Sequence, residues 1–177
     1  LMPDNYHAEL IGGIVYEPSP VGYEHSEFEP DLSALLHRYA KAAIGVGLCS
    51  NGSVILSEDD EVQPDLFLRI KDEYNGQSKL TPKTLSKSMI QYVAGAPELV
   101  AEVAYSSRAI DLHLKKHTYK KHGVCEYLVL CLNPKEIRWF SLSDSGVLKP
   151  DANGIFRSVV FPGLWIHGPA LLESKFD

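Results

Sequence analysis

The sequence predicts one α/β domain over residues 1–177, on three observations. Apolar runs of strand length, among them LFLRI, ELVAEVA and EYLVLCL, alternate with two stretches of helical periodicity. Glycine, asparagine and proline punctuate the joints between them. No internal repeat, low-complexity tract or linker divides the chain, which is long enough to build a substantial core.

The elements follow in order. Residues 9–17, ELIGGIVYE, predict two short strands folded at Gly12–Gly13, where a positive φ meets no steric penalty; Pro18 and Pro20 then end the hairpin. A helix is expected from about Val21 to Ala43, with Phe28, Leu32, Leu35, Leu36 and Tyr39 at helical spacing. Pro30 requires that helix either to begin near Glu29 or to kink. Residues 44–56 predict two strands about the Asn51–Gly52 turn signal, and Glu58–Asp59–Asp60–Glu61 predicts a solvated loop. Gln63–Ile70 is the next strand. Leu66, Leu68 and Ile70 share a face with Pro64, which puts Asp65 with Phe67 on the other face.

The polar stretch Lys71–Lys87, with Asn75–Gly76 and Pro82, reads as an inserted loop, and Met89–Val93 as a short strand. Glu98–Tyr105 is an apolar strand interrupted by Glu102, and a helix from about Ser107 to His122 stops at Gly123. Glu126–Leu132 is a strongly apolar strand ended by Asn133–Pro134. Glu136–Leu142 is another, turning through Asp144–Ser145–Gly146, and Ile155–Trp165 gives one or two short edge strands.

A formal charge of −6 argues against a bulk nucleic-acid coat or a polybasic membrane anchor, and leaves room for a local basic groove. No apolar run approaches the ~20 residues that span a bilayer, and LMPDNYHAEL has no signal-peptide pattern. Cys49, Cys125 and Cys131 form no CxxC pair, which argues against disulfides and a zinc ribbon. The expectation is a soluble, cytoplasmic protein.

The chemistry centres on two carboxylates in apolar strands. Burying an unpaired carboxylate costs several kcal/mol or more, so Asp65 and Glu102 each call for a partner. If their strands are neighbours, the pair needs a cation between them. Mg²⁺ suits such a pair, because it takes oxygen ligands, keeps several waters and uses one or two carboxylates with substrate phosphates. In the following helix, Leu112, Lys115, Lys116 and Tyr119 fall within roughly a 100° arc at about 100° per residue. Asp111 stands four residues before Lys115 and can neighbour it. A lysine there can orient or deprotonate water and offset charge on a transferring phosphate. The plainer alternatives are a snorkelling lysine with an i,i+4 ion pair, Asp65 capping a turn after Pro64, and Glu102 paired with an arginine.

VQPDLFLRI, GAPELVAEVAYSS and DLHLKKHTYKKHGVCEYLVL together resemble the core of the PD-(D/E)xK, restriction-endonuclease-like superfamily. Within it they are most similar to the Uma family, described as putative restriction endonucleases, whose members share "QPD", "GAPDLVVEV.S" and "D...K...Y...GV.EYW" segments. ELIGGIVYEPSP with His25, and the closing FPGLWI, resemble that family's opening and C-terminal strand, so the likeness spans nearly the whole chain apart from Lys71–Lys87.

The resemblance implies a restriction-endonuclease-like core: a central mixed sheet flanked by helices, preceded by a β-hairpin. It implies a Mg²⁺- or Mn²⁺-dependent hydrolase acting on DNA phosphodiesters, with Asp65, Glu102 and the Val103 carbonyl as metal ligands and Lys115 as the catalytic lysine. It also implies a supporting acid from the first helix, Glu27 or Glu24 with His25 beside them, and a homodimer as a plausible assembly. The superfamily's usual lysine, two residues after the glutamate, is replaced here by Ala104. That departure leaves a catalytically inactive nucleic-acid-binding or assembly module as the alternative, since fold alone does not establish activity.

Arg108, Lys116, Lys120 and Lys121 form a basic segment able to track phosphates, or a plain exposed face. His113 and His117 have the i,i+4 spacing of a zinc pair, but HLKKH lacks the HExxH glutamate and a third ligand. Tyr92, Trp139 and Trp165 read as core or interface residues. No phosphate-binding glycine loop, GxSxG elbow or dinucleotide fingerprint is present.

Overall fold

The computed structural model describes residues 8–17, 22–82, 90–105, 107 and 109–174. Its centre is a mixed six-stranded sheet built on the most apolar runs. The strands are β3 (Val46–Ser50), β6 (Leu66–Ile70), β9 (Leu99–Ala104), β10 (Glu126–Leu132), β11 (Lys135–Ser141) and β12 (Gly146–Leu148), in the order β12-β11-β10-β9-β6-β3. Within this sheet only β9 and β10 run parallel, as their helical crossover requires. Both strands are buried along their whole length, which accounts for sequences with no polar alternation.

A second mixed sheet collects the short strands. β1 (Glu9–Ile11) and β2 (Ile14–Tyr16) form the expected hairpin at Gly12–Gly13, whose φ values are 58° and 77°. They join β5 (Glu61–Val62), β4 (Val54–Ile55), β8 (Val93–Ala94) and β7 (Lys79–Leu80) in the order β2-β1-β5-β4-β8-β7. Asn51–Gly52 therefore joins two sheets instead of closing a hairpin: β3 pairs with β6, while β4 pairs with β5 and β8. The two short strands expected in the tail, β13 (Ile155–Arg157) and β14 (Trp165–His167), pair with each other as a separate ribbon. A short helix α3 (Gly168–Glu173), which the sequence reading did not include, follows them.

Two apolar clusters sandwich the central sheet. On one face Phe28, Leu32 and Leu36 of α1 (Tyr23–Ala42) pack on Leu66, Leu68, Leu99, Ala101 and Leu128, with Phe156, Ile166 and Leu171 from the tail. On the other, Phe67, Val100, Ala104, Tyr127 and Val129 meet Ile11, Val54 and Val62 of the second sheet and Tyr119 of α2 (Lys116–His122). Strand parity thus holds as expected, and it puts Asp65 and Glu102 on the face toward the second sheet.

Several expectations are corrected. α1 begins at Tyr23 and runs past Pro30, which has no N–H for the Ser26 carbonyl but is flanked by buried Phe28 and Leu32. Tertiary packing outweighs the missing bond. Asp72–Tyr74 forms a 3₁₀ turn and Lys79–Leu80 a strand inside the expected loop, while its residues 83–87 lie outside the described residues, as does Met89. The crossover starts as a π-helix, Ile110–Lys115, before continuing as α2.

The acidic run is not a solvated loop throughout. Asp60 is 1% exposed and accepts from Gly12 N at 2.7 Å and Lys121 Nζ at 3.0 Å, with His122 Nε2 at 2.7 Å, and Glu61 enters β5. These contacts tie the hairpin turn to the end of α2. Burial opposes ionisation of Asp60, but the Gly12 N–H, His122 and Lys121 outweigh it and hold the carboxyl far below the usual range.

Candidate active site

The β6–β9 pairing sets Leu66 against Ala101 in antiparallel register. Continued by one residue, it sets Asp65 against Glu102, so the two carboxylates stand side by side on one face. The Asp65 N–H donates to Glu102 Oε2 at 3.3 Å, and the Val103 N–H donates to Asp65 Oδ2 at 2.7 Å. Among the described residues neither carboxylate meets an arginine side chain, and Asp65 accepts from the Val103 N–H across the strands, not from a turn after Pro64.

Lys115 reaches this pair from the crossover. Its Nζ lies 3.0 Å from Glu102 Oε1 and 2.9 Å from Glu9 Oε2, with Asp111 Oδ1 at 3.8 Å. The ammonium is 8% exposed as a residue and does not snorkel to water. Tyr119 donates its hydroxyl to the same Glu102 Oε1 at 3.0 Å, and Ser107 donates to Asp111 Oδ2 at 2.5 Å. Tyr127 donates to the Asp111 carbonyl at 3.1 Å, fixing the π segment against β10. The helical wheel assumed α winding through what is a π segment, and of the two lysines on its stripe it is Lys115 that reaches Glu102.

From α1, His25 Nε2 sits 3.2 Å from Asp65 Oδ2, while its buried Nδ1 has no hydrogen-bond partner and lies 3.9 Å from Glu29 Oε2. Glu29 Oε1 accepts from Asn51 Nδ2 at 3.2 Å, and the Asn51 N–H donates to the Asp65 carbonyl at 2.9 Å. The Asn51–Gly52 signal marks a turn that braces Asp65. Glu24 and Glu27 are exposed and are not brought to the site.

The electrostatics split the two strand carboxylates. For Asp65, burial opposes ionisation, but bonds from His25 and the Val103 N–H, with the Lys115 charge, bring the carboxyl below its ordinary value. Burial pushes Glu102 well above the usual range. Lys115 opposes that rise, and the charges of Asp65, Asp111 and Glu9 add to it. Asp111 is likewise raised, chiefly by burial. Burial acts to lower Lys115, yet Glu102, Glu9 and Asp111 hold it above the ordinary lysine range. Lys115 is therefore an ammonium at neutral pH, fit to donate rather than to take a proton. His25 is raised by its bond to Asp65 against the opposing effect of burial.

The donor set suits a hard divalent cation. The lone pairs of Asp65 Oδ1 are not engaged by the bonds above, and Glu102 beside it is pushed toward protonation by burial first and by the neighbouring negative charges second. Two carboxylates are as many as Mg²⁺ commonly takes. With the Lys115 ammonium lying between carboxylates, no three His, Cys, Asp or Glu side chains among the described residues are arranged to hold a metal by themselves. His113 and His117 are exposed.

The family model described as "Uma2: Putative restriction endonuclease" matches residues 1–168. The chain belongs to the Uma2 family. No curated protein matches it. A solved structure similar to it is that of "a putative nuclease belonging to DUF820" from Anabaena variabilis ATCC 29413, determined at 1.96 Å resolution. It is 15% identical, with a TM-score of 0.68 over 99% of this chain and 95% of that one. At that identity the likeness establishes the restriction-endonuclease-like fold expected from the sequence. Among the described residues no helix of this Uma2 chain is long and apolar enough to cross a membrane.

The sequence reading missed Glu9 and the part taken by Tyr119. A signal for Glu9 was available: it shares strand parity with Ile11, which is buried in the core cluster on that face. Of the basic segment, Lys121 is committed to Asp60, and Lys116 lies 3.7 Å above the Phe140 ring. Lys120 is exposed with its amine 2.8 Å from Ser145 Oγ, and Arg108 is outside the described residues. Trp139 is core, while Trp165 is exposed beneath Arg157.

Proposed function

We propose that this chain is a metal-dependent endonuclease that hydrolyses DNA phosphodiester bonds, with Asp65 and Glu102 binding Mg²⁺ or Mn²⁺. One observation carries the reading: four carboxylates, Glu9, Asp65, Glu102 and Asp111, gather about Lys115 and His25 in a largely buried space. Such an excess of oxygen anions favours a further cation. Asp65 and Glu102 would hold it, with the Val103 carbonyl as a third oxygen. When bound, the cation supplies Lewis-acid charge to the scissile phosphate. Lys115 donates to a phosphate oxygen or orients water, Asp111 sits behind it, and His25 keeps Asp65 turned toward the site.

Backbone contacts to DNA are assigned to Lys116 and Lys120. These stand one turn apart on α2, with Arg138 two residues along β11 from Phe140, over whose ring Lys116 is seated. Binding of a non-cleaving variant to duplex DNA tests this. Lys116→Ala and Lys120→Ala are each expected to reduce the slope of log K against log salt by about 1, whatever the DNA sequence. Lys121→Ala, already engaged by Asp60, should change it far less; equal slopes for all three variants would remove the assignment.

The primary test incubates purified protein and DNA with Mg²⁺ or Mn²⁺. Cleavage that stops on chelation supports the reading, and cleavage that survives both Asp65→Ala and Glu102→Ala removes the site. The alternative, an inactive nucleic-acid-binding or assembly module, draws on Ala104 and on the occupation of Glu102 Oε1 by Lys115 and Tyr119. It predicts DNA binding with no metal-dependent cleavage.

A further inference from the structure

We propose that Glu9, from the N-terminal hairpin, is a positioning residue that fixes the Lys115 ammonium toward Glu102, making the hairpin part of the active site. The inference rests on the nuclease reading for its kinetic consequence, but not for its structural one.

A lysine carried on the crossover reaches the glutamate from a separate element on a flexible four-carbon stem, without the shared strand register that would align one at position 104. With Ala104 at the strand position, a single bond to Glu102 would leave the Lys115 amine free to swing and rotate. Glu9 supplies the second anchor, with its Oε2 2.9 Å from Lys115 Nζ. Glu9 is itself held, because its Oε1 accepts the Gln63 N–H at 2.8 Å, two residues before Asp65. The strand bearing Glu9 is fixed by pairing of Leu10 with Glu61. One carboxylate thus links the hairpin, the Asp65 strand and the crossover.

An ammonium carries three N–H protons. Those aimed at Glu9 and Glu102 define its rotation, and Asp111, at 3.8 Å, lies beyond hydrogen-bond reach. The third N–H is thereby presented in a fixed direction to a phosphate oxygen or water. Without Glu9 the amine would pay for that ordering each time substrate arrived.

Glu9→Gln is the informative substitution, since its amide oxygen can still accept from Gln63 and keep the loop in place. In metal-free protein labelled with ¹⁵N-lysine, Lys115 should give a slowly exchanging ammonium signal, assigned by its loss in Lys115→Gln. Glu9→Gln should broaden or remove that signal, and Glu9→Asp should restore part of it. Absence of the signal in the unsubstituted protein, or its survival in Glu9→Gln, overturns the proposal whether or not the protein cuts DNA. In the cleavage assay Glu9→Gln should lower kcat by roughly 10–100-fold with KM within about twofold. A change confined to KM, or no change, overturns the kinetic consequence.

Discussion

Asp65→Asn is expected to lower metal-dependent DNA cleavage by on the order of 10³-fold while leaving the protein folded. The substitution preserves shape, and the amide oxygen can still accept the Val103 N–H that now reaches Oδ2 at 2.7 Å. What it removes is the negative charge. Asp65 is the strand carboxylate whose surroundings favour ionisation, so it is the stronger anion of the pair. Its loss withdraws half of the charge that would hold the cation. Residual activity within tenfold of the unsubstituted protein would contradict this role.

Glu126→Ala should be the most destabilising of the carboxylate substitutions outside the site. Glu126 is fully buried on the face away from Glu102 and accepts four hydrogen bonds. They come from Trp139 Nε1 at 3.1 Å, Ser158 Oγ at 2.8 Å, and the Val159 and Val160 N–H groups at 2.6 and 3.0 Å. One carboxylate therefore holds the turn before β14 against the central sheet. Removing it strands several donors and leaves a void, at a cost of about 3–5 kcal/mol. At this chain length that lowers Tm by roughly 10 °C. A thermal unfolding shift under 2 °C would show that the turn is held by other contacts.

The central strands were legible because burial on both faces leaves continuous apolar runs, as in EYLVLCL, and because parity along QPDLFLRI fixed which side Asp65 takes. The Asp65–Glu102–Lys115 convergence followed from those strands and one helical stripe. The second sheet was not legible: strands of two or three residues, such as Val54–Ile55, carry too little periodicity to reveal their partners. Asn51–Gly52 carries a strong local turn signal, yet long-range pairing sends its flanking strands to different sheets. Asp60 shows the same limit. A run of four acids reads as solvated, and only the fold brings Gly12, Lys121 and His122 to one of them. Glu9 lay in a hairpin read correctly for shape, but its ionic partner stands more than a hundred residues away in sequence.

The central claim is that Asp65 and Glu102 form a divalent-cation site, and calorimetric titration of the purified protein with Mn²⁺ tests it most directly, with or without cleavage. One saturable, carboxylate-dependent site is expected, weakened at least tenfold by Asp65→Asn and by Glu102→Gln and unchanged by Glu27→Gln. No saturable binding, or binding indifferent to both site substitutions, would contradict the claim.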